Sequence, residues 1–135
     1  MSEENVGRVR AGYERFATKG ELGQDYADDF VWDVSNLHWP GQQVYKGAEG
    51  ARAFLREWAE PWEDWELKAD SFHDAGDRVV VLMSQRARSK STGMPVEMSF
   101  AQVWTLRTDG KRTRMDMYSD PAEALRAAGL DKRGS

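Results

Sequence analysis

The chain has 135 residues, no cysteine, six tryptophans and a formal net charge of −4, with both signs interspersed along its length. That length suits one domain with a core of its own, the lack of thiols removes disulfide and thiolate chemistry and fits a reducing cytoplasm, and the charge balance argues against nucleic acid as a partner. No apolar run approaches the roughly 18 residues of a membrane span, and the polar start Met-Ser-Glu-Glu-Asn does not read as a signal peptide, so a soluble, cytoplasmic protein without a membrane partner is expected.

Val6, Val9, Tyr13, Phe16 and Ala17 recur at three- and four-residue steps, which predicts an amphipathic first helix with Ser2 as N-cap and Gly20 at its end. A short second helix is expected over about Glu21 to Ala27, broken by Asp28-Asp29. Phe30, Trp32 and Val34 share one face of a first strand, and Ser35 to Val44, with its Asn36, Pro40 and Gly41, reads as a loop that carries His38 and Trp39. Gly47 opens a third helix whose buried stripe is Ala51, Phe54, Leu55 and Trp58, and Pro61 stops it.

Trp65, Leu67 and Ala69 alternate with Glu66, Lys68 and Asp70 in a second strand. Asp74-Ala75-Gly76-Asp77 turns into a long third strand, Arg78 to about Lys90, whose opening run Val79 to Met83 is covered on both faces. Ser91-Thr92-Gly93 turns into the fourth strand, and Asp109-Gly110 makes a tight hairpin into the fifth, Lys111 to Tyr118. The last helix is capped by Asp120, with Pro121 in its first turn, Glu123 completing the capping pattern and Gly129-Leu130 closing it. Asp131 to Ser135 is a polar tail, so the whole chain is a single domain with its core at about residues 5–130.

The stretch Met98 to Leu106 organises the rest. Met98, Phe100, Trp104 and Leu106 fall at every second position, and Gln102 sits in the middle of their row. An amide among bulky apolar neighbours has to find a partner, because burying it unpaired costs roughly 1–3 kcal/mol. Helices first, then a strand, a helix and four consecutive antiparallel strands predict an α+β arrangement. In it, three to four helices pack on a curved, mostly antiparallel sheet, a cone-shaped and barrel-like fold that encloses a pocket.

The order of elements, together with Ala27-Asp28-Asp29-Phe30-Val31-Trp32-Asp33, Tyr45-Lys46-Gly47-Ala48-Glu49-Gly50, Ala75-Gly76-Asp77-Arg78-Val79-Val80-Val81 and Val103-Trp104-Thr105-Leu106-Arg107-Thr108-Asp109-Gly110-Lys111, resembles the SnoaL-like branch of the nuclear-transport-factor-like and ketosteroid-isomerase-like superfamily. The resemblance covers about Asn5 to Leu130 and implies a cavity between helices and sheet. That superfamily hosts unrelated chemistries as well as plain binding. The positions matching the tyrosine, catalytic aspartate and protonated aspartate of ketosteroid isomerase are Phe16, Val34 and Gln102, so proton shuttling of that type is not expected. The carboxylate, arginine, carboxylate relay of the epoxide hydrolases has no counterpart around Arg86, where Ser84, Gln85 and Arg88 stand.

The same alignment with strand alternation turns Val80, Leu82, Ser84 and Arg86 inward from the third strand and Met115, Met117 and Ser119 inward from the fifth. Phe16, Trp32, Val34, Phe54, Trp58, Met98, Phe100, Trp104, Met115 and Met117 then form greasy walls. Gln102, Arg86, Ser84 and Tyr13 are the polar points, with His38 and Trp39 at the mouth. Gln102 reads either as a donor to a ligand carbonyl or developing enolate, or as a core amide tied to a neighbour. Arg86 reads as an anion stabiliser facing a ligand acid or Asp33, or as a solvated strand end. His38, or Asp33, is the candidate proton acceptor, and each also reads as a surface group. The tryptophans either line a ligand site or pack.

Two distant histidines without clustered carboxylates imply no metal site, and no cofactor is implied. The opposite face, with Ser99, Ala101, Val103 and Thr105 and with Arg112, Arg114 and Tyr118 beside them, predicts a homodimer, since members of the resembled family pair through such faces. The expected function is a small-molecule pocket for a compact apolar, oxygen-bearing ligand, with isomerase, cyclase or hydrolase activity open to it. The alternative is a non-catalytic dimeric binding or scaffold module whose pocket is filled by its own side chains.

Overall fold

A computed structural model describes residues 2–19, 26–37 and 42–130. The first helix, α1 (Ser2–Lys19), lays Val9 into the core with Val6 and Tyr13 packed against it, as the three-and-four spacing requires. The described chain then runs β1 (Tyr26–Asn36), β2 (Val44–Lys46), α2 (Gly47–Ala59), β3 (Trp62–Ala75), β4 (Arg78–Ser89), β5 (Pro95–Leu106), β6 (Arg112–Tyr118) and α3 (Pro121–Ala127). The six strands form one sheet in the order β2-β1-β6-β5-β4-β3. Every neighbouring pair is antiparallel except β1 and β6, which run parallel. This is the α+β fold expected, three helices on a mostly antiparallel sheet.

Side chains alternate across each strand, so the two sheet faces bury two separate clusters. The inner face carries Phe30, Trp32, Val34, Val79, Val81, Met83, Phe100, Trp104, Met115 and Met117, and α1 and α2 close over it through Val9, Ala51, Phe54 and Trp58. The outer face carries Val80, Ala101 and Val103, which α3 covers with Ala124 and its C-cap Ala128. Helix α3 is set by its cap, where Asp120 accepts from the Ala122 N–H at 2.9 Å and Pro121 occupies the first turn.

Several expectations are corrected. Tyr26 and Ala27 begin β1 rather than ending a helix, because Tyr26 pairs with Arg112 of β6 and its ring packs edge-on against Phe30 at 4.8 Å. Residues 21–25 and Gly20 lie outside the described residues, as does the tail 131–135. Val44–Lys46, read partly as loop, is a short edge strand paired with Val31–Asp33. The apolar centre of the expected pairing face, Ala101 and Val103, is buried beneath α3.

The parity of β4 is also reversed. Val79, Val81, Met83 and Gln85 face inward, opposite Trp104, Gln102, Phe100 and Met98 of β5, whereas Val80, Leu82, Ser84 and Arg86 face outward. A three-residue Ser91-Thr92-Gly93 turn would have set Arg86 across from Met98. The turn actually closes between Ser89 and Met94, whose N–H to carbonyl bond is 3.0 Å, and this shifts the pairing by one residue and every side chain to the other face.

On β6 a register shift lies between the Thr105 to Arg114 and Leu106 to Arg112 pairs, so Thr113 is extra and Arg112 turns inward with Met115. Arg112 was expected on the outer face. It is 3% exposed, and Gly12 of α1 makes room for it, since a Cβ there would stand 2.3 Å from its Nη2.

Candidate functional site

The inner face is lined by rings in mutual contact. Trp32 to Phe54, Phe54 to Trp58, Trp58 to Phe100 and Trp32 to Trp104 have centroids 5.6, 5.9, 5.3 and 5.8 Å apart. Val34, Met115 and Met117 are buried beside them, and Met98 packs at the margin. The residues expected to wall a pocket are thus gathered on one face, but those in its middle touch each other.

Two amides interrupt this apolar face. Gln102, 5% exposed, points toward α1, where the Tyr13 hydroxyl donates to its Oε1. The Trp104 Nε1–H in turn donates to the Tyr13 hydroxyl at 2.8 Å. An indole can only donate, so the tyrosine oxygen accepts from it and the tyrosine proton is left for the glutamine oxygen. That order turns the Gln102 amide nitrogen away from Tyr13. Burial pushes the Tyr13 hydroxyl pKa well above the usual phenol range, against the opposing pull of Trp104 and Arg112, so this group stays a neutral hydroxyl and not a base.

The second amide, Gln85, repeats the arrangement with Trp58, whose Nε1–H donates to its Oε1 at 2.7 Å. Gln85 was not among the expected site residues. Its signal was present in the parity of β4, once the length of the turn before β5 is known.

Beside Tyr13 a cleft of about 580 Å³ opens between α1 and β3. Tyr13, Phe16 and Ala17 line it from the helix, Trp65, Leu67, Ala69 and Phe72 from the strand, and Met83 from β4. Four charged residues also line it, Arg10 and Glu14 from the helix and Glu66 and Lys68 from the strand, with the Arg10 guanidinium 4.6 Å from the Phe72 ring centre. The alternation of Trp65, Leu67 and Ala69 was legible as a strand, and the structure makes it a wall.

Arg112, not Arg86, is the arginine of the inner face. Its guanidinium lies 4.4 Å from the Trp104 ring centre and 5.5 Å from that of Tyr26, and Nη2 donates to the Arg8 carbonyl at 3.1 Å. A cation held by ring faces and a carbonyl keeps its charge at lower cost than an unpaired one.

Other expected site residues fall elsewhere. The Arg86 side chain is 74% exposed and stands 3.6 Å from Glu97, while the Ser84 hydroxyl donates to Asp70 at 3.2 Å, both on the outer face. Asp33 is also on that face, where Arg114 donates to it at 2.6 Å and to Asp116 at 3.0 Å. Burial alone would raise the Asp33 pKa, but the Ser35 N–H and the Arg114 guanidinium outweigh it and hold the carboxyl below its ordinary value. A carboxylate so held is a poor proton acceptor and does not face the cleft. His38 and Trp39 lie outside the described residues. Among the described residues no group of His, Cys, Asp and Glu is arranged to hold a metal ion, and no helix is long and apolar enough to cross a membrane.

The comparisons with known proteins agree with this architecture. A solved NTF2-like protein of unknown function from Burkholderia pseudomallei is 25% identical, with 90% of this chain and 95% of that one covered and a TM-score of 0.72. A protein of ketosteroid isomerase-like fold from Catenulispora acidiphila, solved with trimethylamine, is 17% identical over 90% and 92% of the two chains, with a TM-score of 0.67. A proposed SnoaL-like polyketide cyclase from Jannaschia is 20% identical over 98% and 95%, also with a TM-score of 0.67. No curated protein matches the sequence. The family model described as SnoaL-like domain matches residues 9–115, a span running from the core face of α1 to the inward Met115 of β6, and the chain therefore belongs to the SnoaL-like domain family.

Proposed function

We propose that the protein binds a compact, largely apolar, oxygen-bearing small molecule in the cleft between α1 and β3. The observation that carries this reading is the Trp104, Tyr13, Gln102 chain of hydrogen bonds, which holds the neutral Tyr13 hydroxyl at a cleft of about 580 Å³ lined by Phe16, Trp65, Leu67, Phe72 and Met83, with the Gln102 amide next to that hydroxyl. That volume falls within the roughly 300–1,000 Å³ of small-molecule sites, and apolar walls with few polar groups are their usual make-up. The hydroxyl oxygen keeps a lone pair for a ligand O–H, and the Gln102 NH₂ is a donor for a carbonyl or a developing enolate. Isomerisation, cyclisation or hydrolysis further needs a proton acceptor, and Glu14 and Glu66, which both line the cleft, are the described candidates.

A second reading, a non-catalytic module filled by its own side chains, is favoured by the ring contacts that close the middle of the inner face. Tryptophan fluorescence and thermal shift against a panel of hydrophobic ketones and acids separate the two. The first reading expects saturable quenching by some of the panel, weakened about tenfold in Tyr13→Phe, which corresponds to roughly 1.4 kcal/mol. Silence from the whole panel leaves the second reading standing.

A further inference from the structure

We infer that the cleft continues at its β4 side into a donor-only subsite built on Gln85, which selects a neutral oxygen acceptor, such as a ketone or quinone carbonyl, over a carboxylate. The inference rests on the cleft being a ligand site and adds the chemistry of the ligand.

Gln85 is 1% exposed, and its Oε1 is occupied by the Trp58 Nε1–H. Since an indole only donates, turning the amide over would set donor against donor, so the assignment of nitrogen and oxygen is fixed by chemistry. The NH₂ group is then left facing away from Trp58, and its nitrogen is buried without a hydrogen-bond partner. Such orphans are uncommon in folded proteins and each has a cost, so this one is there to be met by an acceptor.

Gln85 does not itself line the cleft, but its neighbours do. Gln85 pairs directly with Leu67 across β3 and β4, and it lies two residues from Met83 on the same face of β4. Leu67 and Met83 both line the cleft. Paired residues in an antiparallel ladder have Cβ atoms about 5 Å apart, so a molecule resting on Leu67 is within one side chain of the Gln85 NH₂.

The sign of the available groups selects the ligand. The inner face has a second buried N–H without a partner, Trp32 Nε1, whose ring packs on Phe54, itself against Trp58. Both groups ask for an acceptor and neither can accept. The cations that line the cleft are Arg10, whose guanidinium lies 4.6 Å from the Phe72 ring centre, and the exposed Lys68, with Glu14 and Glu66 in the same lining, while Arg86 and Arg88, which flank this part of β4, are on the exposed face beside Glu97 and Asp64. Moving an uncompensated carboxylate into such a place is far more costly than moving a carbonyl.

Three flat probes of one shape test the inference by calorimetry: 2-acetylnaphthalene, 2-ethylnaphthalene and 2-naphthoate. The unsubstituted protein is expected to bind the ketone at least tenfold more tightly than either of the others. Gln85→Met, which keeps the volume and removes the amide, is expected to erase that preference while the ethyl compound binds as before. The infrared carbonyl stretch of the bound ketone supplies a reading independent of stability, expected at lower frequency in the unsubstituted protein than in Gln85→Met. Equal binding of all three probes, as when a fixed water already satisfies the amide, overturns the subsite and leaves the cleft. Preference for the naphthoate, or a ketone preference and carbonyl shift that survive Gln85→Met, overturns it as well. Failure of every probe to bind overturns the ligand reading itself, and the subsite with it.

Discussion

On the inner face of the sheet Gln85 and Gln102 are uncharged, and each has its oxygen taken by an aromatic donor. On the outer face Asp33, Arg114 and Asp116 are charged and paired with one another, with the Asp33 side chain 15% exposed and that of Arg114 43%. Water access accounts for the difference. The outer cluster keeps enough solvent to stay ionised at small cost, whereas the inner face has to do its polar work with neutral dipoles. Arg112 is the exception, and the ring faces of Trp104 and Tyr26 take the place of a counter-ion.

The contrast can be tested by mutation. The largest effect is expected from Phe54→Ala, which opens a hole between Trp32, Tyr45 and Trp58. It should cost about 3–5 kcal/mol in urea unfolding. Ala124→Leu attacks the outer face instead, where α3 lies close on Ala101 and Val103, and overpacking there should cost about 1–3 kcal/mol by the same measurement. If the two costs come out reversed, the aromatic layer is looser than the ring distances indicate.

Asp33→Asn sharpens the comparison through pH. The native carboxyl has a pKa below its unfolded value, so its stabilisation is present above about pH 4 and is lost as the pH falls through the lower, folded value. The variant should therefore have a flatter acid limb in a plot of melting temperature against pH, and an unchanged limb would deny Arg114 its stabilising part. The smallest effect belongs to Arg86→Ala. An exposed ion pair with Glu97 adds little, so neither the melting temperature nor ligand affinity should move measurably. A loss of binding in that variant would return Arg86 to the site.

What the sequence made legible was governed by local rules. The strict alternation of β5 put Gln102 on the inner face, the three-and-four spacing of α2 named Ala51, Phe54 and Trp58 as its buried side, and Asp120-Pro121 marked the start of α3. What escaped depended on single-residue counts or on tertiary choice. One residue more in the loop between β4 and β5 decided that Gln85 rather than Arg86 faces inward, and one extra residue at Thr113 sent Arg112 across the sheet. Neither leaves a mark in hydrophobic periodicity. The small residues of β5, Ala101 and Val103, announced a buried outer face correctly. That α3 lies over them was decided by where the chain turns after Tyr118.

The strand that walls the cleft is also a border of the sheet, since among the described strands β3 has a neighbour only in β4. A 14-residue border would ordinarily offer itself to any passing extended chain. Here its ladder is broken twice, between Glu63 and Glu66 and between Ala69 and Ser71, with Asp64 in a left-handed conformation at φ 52°. Glu63, Glu66, Lys68 and Asp70 add charge along its exposed side. Such a margin repels polypeptide and resists aggregation, and it leaves the hollow beside it to molecules too small to need a backbone ladder.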